Sequence, residues 1–396
     1  MSPARDKSGG DQGHATRLIH AAPEPGPLSR TVGPVIQRGS TVLMDDAASL
    51  YDDSQVTYGR AGLSAQQALS HALMDLEGAA GCQLLSSGVA AVTGAMLAVL
   101  KAGDEVLVAD SVYAPTRRFC DKVLTRLGVV VRYYPPRTEP AAIFAHGGPA
   151  LRLVVMESPG SLTFEFQDVP EIARLARERG VLTLLDNTWA AGLLFKPLAH
   201  GVDLSVQALT KYPCGHSDVF MGSICAREPA MVAALGEAVV NFGWAVSPDD
   251  AYQILRGLRT MPTRLKQHGD SGMALAHWLN GQPEVIEVLH PALPASPDHA
   301  LWRRDFSGAS GLFGAILQPA PAGAIEALLD SLTLFGLGFS WGGFESLAIH
   351  CDPQLGKRRY PPHFAGPLVR FHAGLEDPGD LIADLRRGLD AFSAAL

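Results

Sequence analysis

Between residues 63 and 211 the chain repeats one pattern: a short apolar run, a polar residue at its end, then a segment with helical spacing. The runs are "EVLVAD", "VVVRYY", "LRLVVMES", "VLTLLD" and "DLSVQAL". The helical segments are 63–76 closed by Gly78, 89–101 closed by Gly103, 118–127 closed by Gly128, and one with Asp168 and Pro170 at its start and Gly180 past its end. Gly just past an end and Pro just inside a start are helix punctuation. Strands alternating with helices of this length predict βαβ units, and so an α/β fold with a mostly parallel sheet flanked by helices. In such sheets a ligand sits at the carboxyl ends of the strands. Asp110, Glu157, Asp186 and Lys211 stand there.

The texture changes on both sides of this region. Residues 1–62 are rich in Gly, Pro, Ser and Asp, and are expected to form an extended arm, disordered at its start. Residues 63–258 make the α/β domain. Beyond about 245 a long helical stretch, with a break expected near Pro262, bridges to a smaller C-terminal α+β domain over 259–396. That domain ends in an amphipathic helix with Pro378 and Asp380 at its start.

Composition removes several classes of function. The net charge is −8, and no Lys/Arg cluster dominates a segment, which argues against nucleic acid as the main ligand. Five scattered cysteines without a CxxC pair disfavour a disulfide scaffold or a zinc site, so no metal is expected. The first 20 residues lack the apolar core of a secretory signal. The longest apolar run, 89–100, falls short of the about 20 residues that a membrane span needs. A reduced, cytoplasmic setting is expected.

Lys211 and Asp186 lie 25 positions apart, near the ends of strands joined by one connection. An amine at a strand end can be desolvated into a nucleophile toward an aldehyde, and a nearby carboxylate can hold a protonated ring nitrogen. Pyridoxal 5'-phosphate (PLP) needs both. A plain ion pair is the alternative. Ser86-Ser87-Gly88 before an apolar helix is either an N-cap or a phosphate cradle, where free amides, the helix dipole and a glycine's slim backbone meet an anion.

Eight stretches carry a family resemblance: "LLSSGVAA", "DSVYAPT", "VVMESPGS", "LLDNTWAAG", "QALTKYPCGHSD", "RGLRT", "SWGGFESL" and "LVRFHAGLED". In order, from about residue 15 to about 390, they resemble the Cys/Met-metabolism PLP-dependent enzymes, and within these the bacterial cystathionine β-lyases. The resemblance implies the type I fold of PLP-dependent transferases. It implies that Lys211 forms the Schiff base, that Asp186 pairs with the pyridine nitrogen, and that Tyr113 stacks on the ring and moves a proton. Gly88, Val89, Thr210 and Ser87 would hold the phosphate. Tyr58 and Arg60, in "VTYGR", would reach the phosphate of a neighbouring subunit, so that active sites are shared across a dimer, two of which form a tetramer. Arg370 would grip the substrate carboxylate, with Ser340 and Trp341 lining the substrate pocket.

Three departures from the wider family matter. Ala208 stands where a serine is common, which removes one phosphate hydroxyl. "SPGSL" carries Ser161 where γ-acting relatives have Asn, and Trp341 follows the pocket serine. The last two point to β-elimination. The implied reaction converts L-cystathionine to homocysteine, pyruvate and ammonia, in methionine biosynthesis. Other readings are a cysteine desulfhydrase, a γ-synthase or γ-lyase, or a PLP-binding regulatory protein without turnover.

Overall fold

The structure, a computed structural model, describes residues 13–20, 31–52 and 54–396. Seven strands form the first sheet: β1 (Gly81–Leu85), β2 (Glu105–Ala109), β3 (Val130–Tyr134), β4 (Leu151–Glu157), β5 (Leu182–Asp186), β6 (Leu204–Ala208) and β7 (Gly222–Ala226). Their spatial order is β1-β7-β6-β5-β4-β2-β3. All neighbours pair in parallel except those of β7, which runs against both β1 and β6. The expected mostly parallel sheet is present. Outside the expectation lie β1, β7 and the helix Pro229–Phe242. The strands β1 and β7 read "GCQLL" and "GSICA", whose small residues carry weak β-propensity. The sheet recruits them through their neighbours.

Helix ends follow local chemistry. The helix Ser64–Glu77 stops at Gly78, whose φ of 68° is left-handed. Along it Leu69, Leu73 and Leu76 are buried, each contributing about 1.5–3 kcal/mol. The helix Gly88–Val99 is capped by Ser87, whose hydroxyl accepts the Ala90 amide at 3.0 Å. Asp168 likewise caps Val169–Glu178. The expected 118–127 helix begins earlier, at Ala114. It runs to Phe119, widens through a π turn over Cys120–Leu124, tightens to a 3-10 turn over Thr125–Leu127, and ends before Gly128, φ 81°.

Two expectations need correction. The long helix Pro248–Leu279 passes through Pro262 without a break. Proline inside a helix costs about 3 kcal/mol, but Leu258, Met261 and Leu265 are buried in one apolar cluster on both sides of it. Continuous packing outweighs the lost bond. The arm is also not wholly extended: His14–His20 is a helix, held by the buried Leu18 and by Arg17 on Asp75 at 2.9 Å. The expected disordered start falls on residues 1–12, outside the described residues. Farther along, Tyr58 bridges to Thr41, and Arg38 grips Asp249 at 2.6 and 2.9 Å.

A second sheet holds β8 (Val285–Leu289), β9 (Leu312–Leu317), β10 (Gly336–Leu337), β11 (Leu347–His350) and β12 (Leu368–His372), in the order β10-β11-β12-β9-β8. It is antiparallel apart from the short β10–β11 pair. Helices Ala322–Ser331 and Pro378–Ala394 share its core. Among the described residues no helix is long and apolar enough to cross a membrane.

Candidate active site

The register of the parallel strands sets two acids side by side. Glu157 ends β4 and pairs directly with Asp186, which ends β5. Both are half-buried at this edge and face the same cavity. Burial pushes the Asp186 carboxyl up, while bonds from Thr188 and the Lys211 charge hold it back. Its Oδ1 accepts the Thr188 amide at 3.0 Å and the Thr188 hydroxyl at 2.5 Å. The same hydroxyl accepts the Ala208 amide at 2.9 Å, which ties the end of β5 to that of β6. Burial, and then the Asp186 charge, push Glu157 well above the usual carboxylate range. The Asp186 charge therefore favours a protonated Glu157 beside it. The Tyr113 amide donates to Glu157 Oε2 at 2.6 Å and fixes the start of the next helix.

Lys211 stands three residues beyond β6. Its Nζ donates to Ser340 Oγ at 2.9 Å and lies 5.2 Å from the centre of the Trp341 ring. Burial, and the nearby Arg370 charge, lower its amine to about 8, against the pull of Asp186. Arg370, on β12, is buried and is lowered to about 10 by that burial. One of its terminal nitrogens reaches the carbonyls of Ser340, Phe339 and Gly338 at 3.0, 3.3 and 3.5 Å. Its Nε has no partner, and among the described residues no carboxylate pairs with it. A buried guanidinium met only by neutral carbonyls is suited to an anion.

The third wall is the N-terminus of the helix Gly88–Val99. Ser87 oxygens take the amides of Ala90 and Ala91, so those of Gly88 and Val89 stay open. A Cβ on Gly88 would lie 2.4 Å from the Ala208 methyl, so only glycine brings this turn so close to β6. The Thr210 hydroxyl is engaged locally: it donates to the Met221 carbonyl at 3.2 Å and accepts the Met221 amide at 3.1 Å.

One cavity gathers most of the residues expected from the sequence: Ser87, Gly88, Val89, Tyr113, Asp186, Thr210, Lys211, Trp341 and Arg370 all line it. Ser340 reaches it through Lys211. Tyr58 and Arg60 do not. Tyr58 is half exposed, and Arg60 lies over its ring at 5.4 Å, beside a separate groove with Gln66 and His71. Of the four ionisable residues at strand ends, Asp110 is diverted. It is buried in an ion pair with Arg117 and accepts the amides of Arg359 and Tyr360. The sequence assigned no role to Glu157, Thr188, Trp189 or Phe339, all of which line the cavity. Thr188, two residues beyond Asp186, had a usable signal, since Asp and Thr at this spacing bond one another in turns.

Residues 15–390 match the Cys/Met metabolism PLP-dependent enzyme family. A Rhizobium johnstonii protein, provisionally named a cystathionine β-lyase, is 47% identical over 96% of each chain. The Escherichia coli cystathionine β-lyase is 40% identical over 94% of this chain and 97% of its own. The crystal structure of cystathionine γ-synthase from Xanthomonas oryzae superposes with a TM-score of 0.90 at 30% identity, over 97% of this chain and all of that one. This chain belongs to the family, adopts its fold and is a PLP-dependent enzyme. The cavity fits that cofactor: a neutralisable amine, a half-buried acid, an open helix N-terminus over a Cβ-free glycine, and an unpaired buried cation.

Proposed function

We propose that the protein catalyses β-elimination of L-cystathionine to homocysteine, pyruvate and ammonia, a carbon–sulfur lyase reaction of methionine biosynthesis in the cytoplasm. The observation that carries this reading is the Lys211 amine, lowered to about 8, in one cavity with the Arg370 guanidinium and its unpaired Nε. Similarity to named β-lyases supports it.

Lys211 would hold PLP through Nζ, with Asp186 holding a proton at the pyridine nitrogen and Tyr113 covering the ring. The open amides of Gly88 and Val89 would take the phosphate. Ser87, whose hydroxyl only accepts from Ala90, keeps its own proton free for the phosphate, whereas Thr210 would have to give up its donation to the Met221 carbonyl. When bound, PLP supplies an electrophilic carbon for amines and an electron-poor ring that spreads negative charge from the substrate Cα. Arg370 orients the substrate carboxylate, and its rigid fork suits a two-point grip. Lys211, neutral above about pH 8, removes the Cα proton, and Ser340 Oγ holds Nζ on line for it. Burial, then the Glu157 and Asp186 charges, keep the Tyr113 hydroxyl protonated. Tyr113 can therefore deliver a proton to the leaving sulfur. Trp341 walls the cavity, and the exposed Phe339 stands at its mouth.

Three further readings belong with this one. Tyr58 and Arg60 serve the phosphate of a second copy of the chain, which makes the unit a dimer and the assembly a tetramer. The arm comprises 1–62, the cofactor domain 63–258 and the smaller domain 259–396. The boundary then lies within the continuous helix Pro248–Leu279, which acts as a shared strut. A γ-type reaction is the second reading for chemistry, favoured by the likeness to the γ-synthase structure. Product identification with cystathionine separates them. Pyruvate with homocysteine supports β-elimination, whereas 2-oxobutyrate with cysteine overturns it. Pyruvate from cysteine but not from cystathionine would mark a desulfhydrase.

A further inference from the structure

We infer that His372 is a positioning residue for Lys211. It acts through the turn that carries Ser340 and Trp341, and the inference rests on the proposed role of Lys211.

His372 lies two positions beyond Arg370 on β12, so both side chains leave the strand on one face. Val369 and Phe371, on the other face, join the core of the second sheet. The His372 ring is completely buried. Its Nε2 accepts the Gly342 amide at 3.0 Å, and the Gly343 carbonyl lies 3.2 Å from the same nitrogen. In one tautomer the ring holds Gly342, in the other Gly343, so either way it fastens the same turn. Burial, and then the His268 charge, hold the ring well below the usual imidazole range, so it stays neutral and able to accept.

That turn presses on the lysine. Gly342 has a φ of 83°, and a Cβ there would lie 2.8 Å from the Tyr212 amide nitrogen and 3.1 Å from Lys211 Cα. The two residues before it are the ones on Nζ: the Ser340 hydroxyl at 2.9 Å and the Trp341 ring at 5.2 Å. Behind them Tyr212 is packed edge-on to Trp341 at 5.5 Å and also meets His268 at 5.2 Å and His372 at 5.9 Å. The Tyr212 hydroxyl accepts the Gly311 amide at 3.1 Å. Arg370 reaches the same segment from its far side, through the Ser340 carbonyl. One strand therefore fixes both ends of Ser340–Gly343: Arg370 at the start and His372 at the end. Arg370 has work with substrate. His372, buried away from the cavity, directs its hydrogen bonds to the turn alone, its Nδ1 having no partner.

The test compares His372→Leu, which keeps bulk without an acceptor, with His372→Gln, whose amide can still meet Gly342 or Gly343. Two quantities are read on the full chain. One is kcat for pyruvate release from cystathionine. The other is the pH midpoint of the Lys211 amine, from the rate at which the PLP-freed protein takes up pyridoxal 5'-phosphate. We expect His372→Leu to lower kcat about tenfold, the worth of one buried hydrogen bond. It should also raise the midpoint by about half a unit or more as the turn loosens and water reaches Nζ. His372→Gln should recover most of both. The inference falls if the Leu variant only melts at lower temperature while kcat and midpoint hold, or if Gln is as impaired as Leu. Borohydride capture of a lysine other than Lys211 in the unaltered protein would overturn the Lys211 reading and this inference together. Capture at Lys211 with unmoved variants would overturn this inference alone.

Discussion

Two lysines in this molecule share an environment on paper and differ in what they can do. Lys211 and Lys196 are both largely buried, both are lowered to about 8 chiefly by that burial, and both lie near an acid, Asp186 or Glu77. Lys196 Nζ is closed in by the carbonyls of Leu76 and Gly192. Its acid, Glu77, accepts the Gln207 side-chain amide on one oxygen. Lys211 has one hydroxyl partner and an aromatic face, and it opens into a cavity. A lowered amine is therefore no mark of a site by itself. Two carbonyls absorb the hydrogen-bonding capacity of Lys196, whereas Lys211 is left with protons and lone pair within reach of a ligand.

The contrast can be broken in several ways. The largest expected effect is from Lys211→Ala, which should lower turnover by about a thousandfold or more, on the scale of losing a covalent catalytic group. It should also abolish borohydride capture of PLP. Lys196→Met should leave capture and turnover within about threefold and instead cost about 2 kcal/mol in denaturant unfolding, since the Leu76 and Gly192 carbonyls lose their donor. Equal kinetic damage from both would erase the distinction. Next comes the acid. Asp186→Asn should cut turnover about a hundredfold by removing the charge that holds the ring proton, while leaving unfolding midpoints nearly unchanged.

A finer test uses pH. Uptake of PLP by the freed protein needs the neutral amine. Its rate should climb with pH, bend near 8 and flatten above, where an exposed lysine would continue toward 10.5. Peptide mapping after reduction should find Lys211 and not Lys196. The smallest effect belongs to Glu77. Its folded carboxyl is raised by burial, so the folded state holds the proton longer than the unfolded one. Its contribution to stability is complete below the ordinary carboxylate range and is lost as pH rises through the folded value. Glu77→Gln should flatten that part of the stability–pH curve. An unchanged slope in urea titrations would show that Glu77 titrates normally.

Much of the site was legible in the sequence because strand ends are legible. Asp186 and Lys211 follow apolar runs, and Ser87-Gly88 precedes an apolar helix. Local spacing was enough to place them at one sheet edge. The acid pair was not legible. Glu157 closes a run as Asp110 does, and only the pairing order puts Glu157 against Asp186 and sends Asp110 to Arg117. Arg370 and Ser340 came from resemblance to a family; nothing in their local spacing points at a strand some 160 residues away in sequence. Pro262 misled because helix-breaking is a local penalty, and the packing that overcomes it is not local.

Sequence alone determined most elements of the parallel region: which runs are its strands, how the helices between them are punctuated, and which polar residues close them. These follow from capping, backbone freedom and hydrophobic period, all short-range. Tertiary structure decided which polar residues meet, which become saturated and which stay open. Lys196 and Lys211 show this most directly, because reactivity here depends on the groups that are left without partners. That depends on the crossing of distant strands, and burial turns an unmet hydrogen bond into a cost large enough to matter.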